Sequence, residues 1–491
     1  MFNDNFNLLT SAQDQGLETV IADTIIQFTP RAQKGGYSAH FERKQWRVET
    51  NDFITAQIAI NRQHMAKLSG HIREYSGYQS PKFEIRALWP KTSSQVLLNK
   101  NTPLGIPSFF LKESTIHLFC ERTIELGYNS IVIGSWFNQA VNNNSEIKNE
   151  SIDITSSLML IKKYQLNLYF ALSEDVDHVE DLFLNSCDGL IVNINCIATA
   201  DCTMQELVIQ KLCCLEKRLP KGKKIIAYVN GISPLELTED CSTQTLLAFP
   251  ATASDPFNTP ENANVLWQDL RLKKRLSDTP ILPIFNTCGV GFGEGLWPLL
   301  PSCFWQKYIM SMDSSPFIGG ICLMNGMPKK GSLLDANLWL MQEMLWSQKP
   351  ADLLFETWVK VHHPDWPKQI IQLLNEVGDI AKWFHKRSKS NETKSKTEPD
   401  IISYRLIELE QSISNLEEEL KAYFTFFIID ARRILMHLSK RDHFPLTKLG
   451  TEEIIQSAFW TVNGKGGVLE QPSSGPKGSL QEKIYGQNRW I

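Results

Sequence analysis

The chain has 491 residues, 42% of them hydrophobic and 21% charged, with a formal net charge of −4 and a pI near 6.2. That balance belongs to an ordinary globular protein with room for two or three domains. It excludes the basic footprint of a nucleic-acid binder, and no apolar window approaches the roughly 18 residues that a membrane span needs.

The opening stretch MFNDNFNLLTSAQDQGLE has neither a basic nor an apolar signal region, so a cytoplasmic location is expected. Residues 1–80 read as a mixed segment with one helix, TAQIAINRQHMAKLSGHIREY. From there to residue 348 the chain alternates. Apolar runs at 83–89, 131–134, 167–172, 190–194, 225–229, 245–249, 281–285 and 319–324 are separated by segments of helical period such as TIHLFCERTIELG and DANLWLMQEMLW. Eight strands, each followed by a helix, predict a (β/α)8 barrel over 81–348, with a doubly wound open sheet as the alternative.

Beyond the barrel, 349–386 reads as helices and 387–400 as a charged linker without apolar residues. A helical region follows over 401–462, with a stripe of Ile402, Leu406, Leu409, Ile413, Leu416 and Leu420. Its charged face is acidic, so the stripe is expected against the chain itself or a second copy rather than a membrane. Residues 463–491 are rich in Gly, Pro and Ser and are expected to be a disordered tail. The ten cysteines form no C-x-x-C pair and sit mostly in apolar elements, which predicts buried thiols. Nothing has zinc-ligand spacing, and no metal or other cofactor is expected.

In a parallel barrel the strand ends open onto the face where binding sites are built. Here those ends carry Arg86, Trp89, Trp136, Glu174, Asn193, Asn195, Asn230, Asp255, Asn286 and Asn325. Amides supply donors and acceptors and tryptophan supplies a flat apolar face, a combination suited to sugar hydroxyls and C–H faces. Arg86, Trp89, Trp136, Asn193, Asn195, Asn230, Asn286 and Asn325 are therefore candidate carbohydrate-binding residues. The seventh run leads into PILPIFNTCGVGFGEG, whose alternating glycines let backbone approach a ligand closely without matching a dinucleotide fingerprint.

The block GGICLMNGMPKKGSLLDANLWLMQEMLWSQKPADLLFETWVKVHHPD carries Ala336, Asn337, Leu338, Leu345, Trp346, Glu356 and Trp358. In these positions it resembles the last barrel strand, last helix and following segment of the alpha-glucuronidases of glycoside hydrolase family 67. ERTIELGYNSIVIG, with Gly127 and Asn129, and LPSCFWQK resemble further parts of that family, so the likeness spans residues 83–366. It implies an inverting hydrolase in which a carboxylic acid and a carboxylate base stand about 6.5–9.5 Å apart. Asp255 falls where the family has a base. The family's acid position, in NINCIATADC, holds no glutamate before Asp201, and its second base position holds Thr287 or Cys288. Glu294 or Glu174 would then have to serve as the acid.

Three functions follow. The chain is a working glycosidase using Asp255 with Glu294 or Glu174, a catalytically degenerate barrel that still binds sugar, or a cysteine hydrolase using Cys288 with His178. The family likeness also implies a homodimer formed through the C-terminal helices.

Overall fold

The computed structural model describes residues 2–30, 35–90, 95–99, 102–107, 113–134, 155–172, 181–193, 214–228, 245–250, 280–287, 317–324, 330–389 and 398–416. It also describes short pieces around 305–312 and 420–435.

The chain opens with helix α1 (Phe2–Gln15) and strands β1 (Glu18–Ile21), β2 (Thr24–Phe28), β3 (Tyr37–Glu42) and β4 (Gln45–Thr50). Helix α2 (Phe53–Ser69) and strand β5 (Gly77–Gln79) complete a mixed sheet of order β1-β2-β4-β3-β5. Residues alternate between buried and more exposed along β2, as one covered face requires. Asp52 starts α2 by accepting from the Thr55 amide at 2.8 Å, and Gly70 ends it in the left-handed region at φ 80°. Phe53, Ile54, Ala56, Ile58, Ala59, Met65 and Ala66 of α2 are all buried, because the helix is covered from two sides. One side is the sheet and the other is the barrel's outer helices.

The barrel strands are β6 (Ile85–Pro90), β9 (Ser130–Ile133), β10 (Asn167–Leu172), β11 (Gly189–Asn193), β12 (Lys224–Tyr228), β13 (Thr245–Pro250), β14 (Ile281–Asn286) and β15 (Gly319–Met324). All pair in parallel, and β15 and β9 both pair with β6, so the sheet closes. The eight apolar runs of the sequence are these eight strands. Between β6 and β9 lie an antiparallel hairpin, β7 (Gln95–Asn99) with β8 (Thr102–Pro107), and helix α3 (Glu113–Glu125). Helix α4 (Thr155–Lys163) follows β9 and α5 (Asp181–Ser186) follows β10. Helix α6 (Leu333–Ser347) follows β15. The segments joining β12 to β13 and β13 to β14 lie outside the described residues.

Closure divides the apolar core in two. Ile85, Ala87, Trp89, Val132, Tyr169, Ala171, Ile191, Ile226, Tyr228, Leu282, Ile284 and Ile321 point inward and fill the barrel. The alternate residues point outward and pack with the helices and the N-terminal sheet in one larger core.

After α6 come α7 (Ala351–His362), α8 (Ile370–Lys389) and α9 (Glu398–Ser412). Helix α8 thus runs three residues into the stretch expected as linker, because its last turn is polar but unbroken by Gly or Pro. Ile402, Leu406, Leu409, Ile413 and Leu420 are buried within this single chain and Leu416 is partly buried. Among the described cysteines, Cys120, Cys187 and Cys322 are buried thiols while Cys214 is exposed. No described helix is long and apolar enough to cross a membrane.

Candidate functional site

The strand ends define one face. On β6 the inward residues are Ile85, Ala87 and Trp89, so Trp89 stands highest, one residue before the strand ends. Its indole Nε1 donates to the Gly134 carbonyl at 2.7 Å, just past the end of β9, which fixes the ring across the β6–β9 seam. Leu323 of β15 pairs with Trp89 on the other side, and Asn286 of β14 pairs with Leu323. Thr287 follows, buried, its hydroxyl donating to the Leu323 carbonyl. Across the barrel, Tyr228 ends β12 as an inward residue, and its register partner on β11 is Asn193. Burial pushes the Tyr228 phenol up to about 12, so it is a neutral donor and acceptor at ordinary pH.

Backbone register brings two further positions to this level. Asn193 lies two residues beyond inward Ile191, and Asn286 two residues beyond inward Ile284. The backbone therefore brings four of these positions to one end of the barrel: Trp89, Asn193, Tyr228 and Asn286. Tyr228 is passed over in the sequence because it lies inside a continuous apolar run, 225–229, with no polar residue or alternation to mark it.

Arg86 is placed elsewhere. It is the second residue of β6 rather than its exit, and its position in the alternation turns the side chain out of the barrel. The guanidinium donates to the Phe83 carbonyl at 2.9 Å and the Gly127 carbonyl at 3.4 Å, and lies 4.7 Å over the Trp346 ring. Burial, then the nearby Arg62 charge, draws its pKa down to about 9. Arg86 thus supports the barrel's lower end, and the expectation that it faces the mouth is corrected on that ground. Trp136, Glu174, Asn195, Asn230, Asp255, Glu294 and Asn325, with Cys288 and His178, lie outside the described residues. Among the described residues no group of His, Cys, Asp or Glu could hold a metal ion.

A second concentration of polar groups occupies the strand-start end, where α2 meets α6. Arg62 of α2 and Glu343 of α6 form an ion pair at 3.2 Å. Arg122 of α3 pairs with Glu125 at 2.5 Å and with Asp335 of α6, and Lys330 pairs with Glu125. Asp335 also helps start α6: Ser332 Oγ, at the N-cap, accepts from its amide, and its carboxylate accepts from the Gly331 amide just before the cap. Trp358 of α7, one of the residues of the family 67 likeness, is fully buried here, with its ring 5.9 Å from Phe355.

No protein-family model and no curated protein sequence matches the chain. Solved structures that it resembles include glycoside hydrolases. One is a GH138 enzyme targeting pectin rhamnogalacturonan II, with a TM-score of 0.47, 10% identity, and coverage of 88% of this chain and 84% of that one. Another is a mutant O-GlcNAc hydrolase of Thermobaculum terrenum, with a TM-score of 0.41, 10% identity and coverage of 73% and 84%. A third is a mutant beta-hexosaminidase of Streptomyces plicatus, with a TM-score of 0.44, 9% identity and coverage of 74% and 89%. These three belong to groups other than the family 67 alpha-glucuronidases that the sequence resembles. At such low scores and identities nothing about this chain's chemistry follows from them.

Proposed function

We propose that this chain is a carbohydrate-binding protein on a (β/α)8 barrel of glycosidase type, with the sugar held at the C-terminal ends of the strands. The observation that supports this most is that Trp89 and Tyr228 face inward at that end of a closed parallel barrel, whose strand register brings backbone positions 193 and 286 to the same level. Aromatic rings and amides are the groups that match a sugar's C–H faces and hydroxyls. Calorimetric titration with neutral oligosaccharides and with uronic acids tests it. Saturable binding should weaken about 2- to 12-fold in Asn286→Ala, as loss of one hydrogen bond implies. Absence of binding across both sugar classes would sink the reading.

A second reading, hydrolysis of an alpha-linked uronic acid or related glycoside, has one feature in its favour. Strands β13 and β14 are adjacent and parallel, so the loops carrying Asp255 and Glu294 leave from neighbouring strand ends. An inverting mechanism would use Asp255 to activate water and Glu294, or Glu174 from the loop after β10, to protonate the leaving oxygen. Release of the aryl alcohol from aryl glycosides separates this reading from binding alone.

A further inference from the structure

The barrel is laddered unevenly. Seven of its eight seams hold three to six residue pairs in register, while β6 and β9 share two, Ala87 with Ser130 and Leu88 with Ile131. The next pair would set Trp89 against Val132, and in a parallel ladder it needs the residue after Trp89 to donate its amide to the Val132 carbonyl. That residue is Pro90, which has no N–H to give. The ladder toward β9 therefore ends two residues before β6 does, although on its other side β6 stays in register with β15 as far as Pro90 and Met324. A side chain takes over where the backbone stops. The Trp89 indole donates to the Gly134 carbonyl at 2.7 Å, and Gly134, at φ 112°, is where the chain turns out of β9.

What leaves the barrel at this point is the β7–β8 hairpin, which follows Pro90 in the chain and pairs only with itself among the described residues. It brings β8 beside β10, and β9, only four residues long, stands between β6 and β10 in the barrel. The hairpin backbone therefore passes over the mouth end of β9. A two-stranded ribbon on its own is marginally stable in water, and this one is further interrupted by a register shift between Leu97 and Asn99. Such a segment belongs to the low end of local stability, from which lids are drawn.

We infer that the β7–β8 hairpin is a lid over this side of the barrel mouth, hinged at Pro90 where the β6–β9 ladder ends, with the Trp89–Gly134 bond as the latch that holds the seam beneath it. The lid opens and closes in the free protein. A ligand seated in the mouth favours the closed form, because only that form covers it. This last step rests on the reading of the mouth as a sugar site; the opening itself does not.

Hydrogen exchange of the full-length protein, read by mass spectrometry over residues 95–107 and 130–134, tests it, with 189–193 of the fully laddered β11 as internal reference. In the free protein the hairpin amides should exchange roughly 100-fold or more faster than those of β11. Trp89→Phe keeps a ring and removes the N–H, so exchange over 130–134 should rise about 2- to 12-fold while 189–193 hold their rate. A saturating oligosaccharide should slow exchange over 95–107. Hairpin exchange as slow as that of β11, exchange over 130–134 unmoved by Trp89→Phe, or a bound sugar that leaves the hairpin unprotected would each overturn the proposal. If no sugar binds, the reading of the mouth falls alone, and rapid hairpin exchange with the Trp89→Phe effect still upholds the hinge and its latch.

Discussion

Arg62 and Glu343 form an ion pair at 3.2 Å with side chains only 4% and 1% exposed, the first on the helix of the N-terminal sheet and the second on the last barrel helix. The Arg62 guanidinium also lies 4.6 Å over the Trp346 ring and 5.2 Å over that of Tyr75. Burial, the largest single influence, works against its charge, but the facing Glu343 carboxylate together with Tyr37 and Tyr75 outweighs it, so the pKa ends above the ordinary value. Removing one partner strands the other charge in an apolar surround. Arg62→Met should lower unfolding stability by about 3–5 kcal/mol, while Arg62→Met with Glu343→Leu should recover most of the loss. Urea unfolding of the single and double variants decides it; a double variant no better than Arg62→Met would refute the account.

The seam where the barrel closes is equally specific. A Cβ on Gly319 would stand 1.9 Å from the Ile85 carbonyl oxygen across the β15–β6 pair. Backbone atoms cannot yield as a flexible side chain can, so Gly319→Ala should cost about 1–3 kcal/mol or more and lower the melting temperature. An unchanged thermal melt would show that the strands do not approach so closely.

His362 supplies a pH signature. Burial, the leading cause, lowers its pKa from 6.5 to about 4, with the Arg122 charge helping and Asp335 opposing. The neutral ring is favoured in the fold, so above about pH 6.5 neither state binds the proton and the group leaves stability unchanged. As pH falls from there toward 4, the unfolded chain takes the proton first and stability declines. In His362→Gln that part of the decline should vanish, which thermal melts at intervals between about pH 7 and 4 would register. Parallel curves for the two proteins would contradict it.

If aryl glycosides are hydrolysed, Asp255→Asn should slow turnover by about 10² to 10⁴-fold, the range for losing a general base. Melting temperature and sugar affinity should stay close to those of the unaltered protein. Turnover unaffected by the substitution would remove Asp255 from the chemistry.

The barrel is legible in the sequence because a buried parallel strand is a short continuous apolar run, and eight of these recur with helical segments between them. The linker is overextended at 387–389 because polar composition alone does not stop a helix whose last turn has no Gly or Pro. The β7–β8 hairpin escapes notice: the sequence between its strands, Lys100 and Asn101, has no glycine of the kind that marks tight hairpins. Trp89 lies near the end of an apolar run in the sequence and near the end of β6 in the structure. Arg86 does not, since which face a residue takes depends on strand register rather than on distance from the run's end. The Arg62–Glu343 pair is invisible at that level, because each residue looks like a solvent-facing charge on a helix until a second element covers it.

The pairing of β15 with β6 has a consequence for how the chain comes into being. The first barrel strand finds its second neighbour only after residue 319 has been made, and α2 meets the last barrel helix later still. At about 5–20 residues per second, a ribosome leaves that edge unpaired for roughly ten seconds to a minute. Contacts so distant in sequence also make closure intrinsically slow. Throughout that interval the edge of β6 is open to any strand that can add to it. Newly made chains should therefore depend on protection by chaperones until the final strand arrives, far more than the finished protein does.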